Sequence, residues 1–263
     1  MRINLQLHKA LSGKKTKGVS VKKPKTETKT ALEDKKTITM PPMATTISEA
    51  NEIAVKYGLA KTADFKYLDI KRVNVIIQTM AATKAEFPAM AVPDFVGNPF
   101  FCGDPAEVNR AKDKQKINTA IAWVSSGGTG KVKGLYFMPK KEFGAYFYND
   151  QEVKKSLENA VKIKFHPESC NTLKSIVDHE LGHVLDRTVD KAISFDSRVM
   201  KLYSKHVKAK KESDKMENVL SKYAEKTVGE FVAEAWTEYR NNPTPRPLAT
   251  EVGKIIESYF KKS

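Results

Sequence analysis

Apolar residues recur with a helical period over 47–60 and again over 69–87, where Ile70, Val73, Ile76, Ile77, Met80 and Ala81 share one broad face. The second predicted helix stops at Phe87-Pro88, because a residue before proline is pushed out of the helical region. A connector rich in proline, glycine and phenylalanine follows, with Pro93, Gly97, Pro99 and Gly103. Residues 105–116 read as a helix, 118–126 as a strand and 127–130 as a turn. Short strands are predicted over 134–138, 144–148 and 161–165, with a helix over 151–160 among them. This order predicts a small mixed sheet just ahead of a helix that starts after Pro167, with Asn171 or Thr172 as its cap. Near the end, Pro243, Pro245 and Pro247 should hold an extended connection. A last helix then presents Val252, Ile255, Ile256 and Tyr259 on one side. The expected class is α+β.

Composition divides this pattern into regions. From Lys14 to Lys36 the chain is mostly Lys, Thr, Gly and Glu and cannot bury enough apolar area to offset the entropy of ordering. Residues 1–43 are therefore expected to be a basic arm, disordered or partner-bound, and 44–116 a mainly helical region that could be part of the same domain as 117–263. Residues 1–40 hold eleven Lys or Arg against three acids, over half of the net charge of +15. An excess so localised suits nucleic acid, bound without sequence preference, or an acidic protein surface. Residues 201–215 are also basic and read as a mobile segment. No run approaches the roughly 20 apolar residues that cross a bilayer, and the start lacks an apolar signal segment. A cytoplasmic protein without membrane contact is the expectation. Cys102 and Cys170 are too few for a disulfide scaffold or a cysteine-ligated zinc cluster and read as free thiols.

The candidate chemistry sits in Asp178-His179-Glu180-Leu181-Gly182-His183. Two histidines four apart on a helix project to the same side and can share one cation. Glu180 projects beside them, where it can take a proton from activated water without ligating. Leu173, Val177, Leu181 and Val184 would pack the opposite side into the core, and Gly182, which costs a helix about 1 kcal/mol relative to Ala, would mark close approach by a strand or by substrate. A third ligand is needed. A metzincin would have glycine at 186 and histidine or aspartate at 189, but the chain has Asp186 and Val189. A carboxylate from a later helix remains, and Glu230 and Glu234 stand four apart among Phe231, Val232, Ala233, Ala235 and Trp236. Acids in such company are better explained by a metal or a hydrogen-bond donor than by a solvated face.

These two segments, DHELGHVLD and YAEKTVGEFVAEAWTEY, resemble the zincin-type metallopeptidase domains, such as the catalytic domain of anthrax lethal factor and the zincin domains of bacteriophage minor head proteins. The resemblance covers about 117–263 in order of elements, with specific motifs only at 179–186 and 223–236. It implies a zincin-like α+β domain whose small sheet packs on the HExxH helix. It makes His179, His183 and Glu230 the ligands of one Zn2+ per chain and Glu180 the general base. Tyr223 would donate to the developing oxyanion, and Glu234 and Asp186 would orient ligand histidines. Nothing upstream of 117 aligns, so substrate preference does not transfer.

The expectation is a zinc-dependent endopeptidase acting on a protein or peptide. The alternative is a phage virion or head-morphogenesis protein, located in the virion or host cytoplasm, in which the zincin domain is accessory and the arm binds capsid, portal or DNA. His166, ahead of Pro167, is expected at the surface. Tyr136, Phe137, Phe143, Tyr146, Phe147 and Tyr148 are expected in core and sheet positions.

Overall fold

Short polar side chains start the first helices where the sequence puts them. In the computed structural model, which describes residues 39–117, 121–127, 130–139 and 150–261, Thr46 accepts from the Glu49 amide at the start of α1 (Ile47–Lys56). Asp69 accepts from the Lys71 amide at the start of α2 (Ile70–Glu86). Val73, Ile76, Ile77, Met80 and Ala81 of α2 are buried, as the stripe predicts. Ile70 is only half-buried. The arm lies outside the described residues up to 38. Pro41 is buried and accepts a 2.8 Å bond from Gln78 Nε2, so packing starts just ahead of the expected boundary at 43.

Four strands, β1 (Thr62–Asp64), β2 (Phe95–Gly97), β3 (Ala122–Ser126) and β4 (Val132–Phe137), form a sheet in the order β1-β2-β4-β3. The β1/β2 and β2/β4 pairs are parallel and β3/β4 is antiparallel, so the sheet is mixed and small, as expected. β1 and β2 are corrections to the sequence reading, which had no strand at 62–64 and only a connector at 95–97. At Gly97 a Cβ would stand 2.0 Å from the Asp64 carbonyl oxygen, and φ is +135°. Glycine there permits strand pairing, where the sequence suggested only a break. α3 (Pro105–Ile117) lies between β2 and β3, its first turn held by Asp104, which accepts from Ala106 N.

The strand expected at 161–165 is not formed. α4 (Asp150–Lys162) runs through its first half, because Val161 continues the four-residue spacing of the buried Val153 and Leu157. The chain then turns, with Lys164 at φ 60° and Phe165 N donating to Ala160 O. The strand expected at 144–148, with Phe143, Tyr146, Phe147 and Tyr148, lies outside the described residues. Tyr136 and Phe137 are buried, as expected.

Two helices carry the centre of the molecule. α5 (Leu173–Thr188) buries Val177, Leu181 and Val184 completely, each removal from water contributing about 2 kcal/mol, while Leu173 is half-buried. Of the segment 201–215, expected to be mobile, 201–207 lie in α6 (Ser197–Val207) and Glu212–Asp214 form a 3-10 turn ahead of α7 (Met216–Val219), with Val199 and Met216 buried on either side. α8 (Val228–Asn241) crosses α5, and a Cβ on Gly182 would lie 2.9 Å from Ala233 Cα and 3.4 Å from Trp236 Cβ. Gly182 is therefore spent on a neighbouring helix, not on a strand or substrate. α9 (Pro247–Phe260) packs on α8 with Val252, Ile255 and Ile256 buried. Its Tyr259 stays at the edge and donates to Asp196, contrary to the expected buried side.

One core runs from Ala44 through Val96 and Leu135 to Ile256, so residues on both sides of 117 share it. Cys102 and Cys170 are free thiols. Among the described residues no helix is long and apolar enough to cross a membrane.

Candidate metal centre

Thr172 caps α5 by accepting from Ser175 N, while Ser175 Oγ accepts from Thr172 N, both at 3.1 Å. With one side of the helix in the core, His179 and His183 face α8 with ring centroids 5.0 Å apart. Thr227 caps α8 by accepting from Glu230 N at 3.1 Å, which puts Glu230 in the first turn. Gly182 lets the two helices approach closely enough for the first turn of one to reach the motif of the other.

There the three expected ligands meet. Oε2 of Glu230 lies 3.2 Å from His179 Nε2 and 3.3 Å from His183 Nε2. The oxygen is buried and makes no hydrogen bond. Among the described residues, His179, His183 and Glu230 are the group whose ligand atoms converge so that they could hold a metal ion. An orphaned carboxylate oxygen between two imidazole nitrogens is costly in a protein and is relieved by a cation. Electrostatics point the same way. Burial works against charge on His179, but Glu230 and Glu234 outweigh it and hold its pKa well above the usual value. Burial likewise opposes charge on Glu230, and the two imidazoles overcome it, keeping the carboxylate ionised.

Glu234, one turn further along α8, stands behind His179. Its Oε1 is 2.9 Å from His179 Nδ1, a close ionic contact not aligned as a hydrogen bond, and Oε2 accepts from Ser221 Oγ at 2.7 Å. The carboxylate is almost fully buried. Burial would raise its pKa, but His166 and His179 bring it down to about 2. Glu234 thus stands against the side of the His179 ring turned away from Glu230.

Two residues differ from expectation. Asp186 touches neither ligand histidine; it accepts from Ser194 N at 2.6 Å and Ser194 Oγ at 3.2 Å and so secures the turn after α5. It lies three positions beyond His183, and the chain folds back onto it there. His166, expected at the surface, is brought inward by the turn after α4, where its Nδ1 lies 3.1 Å from Glu234 Oε1. No ligand spacing marks His166, and only its nearness in sequence to α5 hinted at this. Ser221 had no signal at all.

Glu180 is buried beside the pair, and its pKa is raised chiefly by burial. Tyr223 lies on a short 3-10 turn ahead of α8, its ring centroid 5.9 Å from that of His179. Burial first, and then the Glu230, Glu180 and Glu234 carboxylates, raise the pKa of its hydroxyl, which keeps its proton at neutral pH. These residues line one cavity of about 650 Å3, which β3 also walls with Ala122, Val124 and Ser126. Among the described residues β3 is an edge strand. Comparison with protein-family models, curated proteins and solved structures found no significant match.

Proposed function

We propose that the protein is a zinc-dependent endopeptidase in which Glu180 activates the attacking water. The observation that carries this reading is the pair of separations at Glu230 Oε2, 3.2 and 3.3 Å from the two Nε2 atoms. Ligands about 2.0–2.1 Å from a tetrahedral zinc stand about 3.3 Å from one another. Two imidazoles and one carboxylate leave a fourth position for chemistry, whereas structural zinc sites usually close all four and favour cysteine.

Zinc, when bound, supplies Lewis acidity that polarises a peptide carbonyl and makes water acidic near neutral pH. Glu180 accepts a proton as the water oxygen bonds to the carbonyl carbon, and delivers that proton to the amide nitrogen as the C–N bond breaks. A base raised by burial suits both directions of transfer. The Tyr223 hydroxyl donates to the oxygen that gains charge. Glu234, braced by Ser221 and His166, keeps the His179 ring facing Glu230. An extended peptide suits the cavity, because β3 in its wall, the edge strand among the described residues, can pair with one more strand.

Metal analysis paired with Glu180→Gln tests the reading. Both proteins should hold one zinc, and the variant should lose cleavage by about 10²- to 10⁴-fold. Zinc in both with no cleavage of a broad peptide library would favour a structural module.

The localised charge of residues 1–40 supports a second, compatible role. In it the arm docks on phage capsid, portal or DNA and the folded part serves a virion or head-morphogenesis protein. Protease sensitivity of the arm in the free protein, with protection in an assembly, would favour that role.

A further inference from the structure

The cavity holds charges that the proposed chemistry does not use. Among the described residues three carboxylates line it, Glu180, Glu230 and Glu234, and all three belong to the proposed metal site. Three cations line it as well: Lys114, Arg187 and Lys226. Among the described residues the two sets balance, so a bound dication would leave that lining with an excess of two positive charges. An extended substrate therefore meets a positive wall.

Lys114 is the cation placed to act on it. It sits near the end of α3, half-buried, with its Nζ 5.3 Å from the centroid of the Trp123 ring on β3. Trp123 is fixed in turn, since its Nε1 donates to the buried Glu107 at 2.9 Å. Among the described residues Lys114 makes no ion pair, although Arg110 repels it and Glu180, Glu230 and Glu107 attract it. A half-buried ammonium without a carboxylate partner is costly, and burial lowers its pKa. Arg187 differs: its Nε already lies 3.6 Å from Asp186 Oδ2. Lys226 differs too, stacking over Tyr223 at 4.2 Å on the exposed rim. Among the described residues Lys114 has no ion-pair partner, and it lies beside β3, the strand at the edge of the described sheet.

We propose that Lys114 forms a subsite for a substrate carboxylate flanking the scissile bond, which makes acidic peptides the substrates. The carboxylate is either an Asp or Glu side chain or a free C-terminus. This inference rests on the peptidase reading of the same cavity. The Trp123 face and the stem of Lys114 hold the ammonium in place, and the substrate supplies the missing anion.

The test uses the full chain loaded with zinc and a peptide series on a neutral background. Glu, or Gln in its place, is scanned through each position, and every peptide is made as free acid and as C-terminal amide. The wild type should cleave the best Glu peptide about tenfold faster in kcat/KM than its Gln counterpart. If the C-terminus is the anion, the free acid should instead exceed the amide by that factor. Lys114→Gln should bring the preference to within about twofold, and Lys114→Glu should turn it toward lysine-containing peptides. Lys71→Gln, the same loss of charge at an exposed site outside the cavity, should leave the preference as it is. Cleavage with no preference for either anion, or a preference that survives Lys114→Gln, would overturn the subsite and leave the peptidase reading standing. If no peptide is cut, the peptidase reading fails, and binding of the fluorescent Glu and Gln peptides to the zinc-loaded protein decides the subsite. A tenfold tighter Glu peptide that depends on Lys114 supports it, and equal binding overturns it.

Discussion

Glu234 Oε1 stands 2.9 Å from Nδ1 of His179, while Nε2 of the same ring lies 3.2 Å from Glu230. One imidazole is thus held between two carboxylates from successive turns of α8, one at the metal position and one behind it. Glu234→Ala should weaken metal binding by about 10- to 100-fold, because the ring loses its support and His166 and Ser221 lose their acceptor. Competition against a chromophoric chelator measures this. Unchanged affinity in a folded variant would show that the ring needs no such support.

Gly182→Ala should destabilise the protein by about 1–3 kcal/mol, even though alanine favours a helix by about 1 kcal/mol. The added methyl would meet Ala233 Cα at 2.9 Å. Urea unfolding gives the sign directly. A gain in stability would mean that α5 and α8 can separate at no cost.

Metal loading should raise the melting temperature, by an amount equivalent to about 2.7 kcal/mol when free metal is at 100 times Kd. His183→Ala should abolish most of that gain. Ligating imidazoles must be neutral, so the gain should shrink as pH falls. Burial lowers the pKa of His179, but Glu230 and Glu234 raise it further, so proton competition should already be felt above the ordinary histidine range. A thermal shift independent of pH would place the metal elsewhere.

Asp196 accepts from Arg198 Nη2 at 2.8 Å and from the Tyr259 hydroxyl at 2.6 Å, tying the start of α6 to α9. Its pKa is lowered, chiefly by Arg198, so its stabilising contribution is fully present above the unfolded carboxylate value and is lost progressively as pH falls through the lowered folded-state value. Asp196→Asn keeps a capping side chain and removes the charge. The variant should be less stable at pH 7 by at most about 1 kcal/mol, the pair being largely at the surface, and the difference should vanish in acid. A difference that does not shrink between pH 5 and pH 2 would assign the effect to packing instead.

Periodicity made α2, α5 and α8 readable, because each buries a stripe wide enough to leave its mark. The site was readable to the same extent: His179, Glu180, His183, Glu230 and Glu234 are all within one turn of a partner on the same helix. β1 and β2 were not, since each has three residues and owes its form to pairing partners more than thirty positions away. His166 was undervalued for the same reason, being placed by a turn and a buried carboxylate 68 positions on. Asp186 was misassigned because sequence distance from a ligand says nothing of which way the chain returns after a helix.

The sheet order carries a practical consequence. β2 pairs with β4, and Val96 is packed in the same core as Leu135 and Val177. A fragment starting at 117 would keep the metal-site residues and the edge strand, yet one whole border of β4 and the flank of α5 that meets α2 would be left wet. Expression of that piece should yield aggregate. A chain that keeps this packing whole begins before Pro41, whose carbonyl accepts from Gln78.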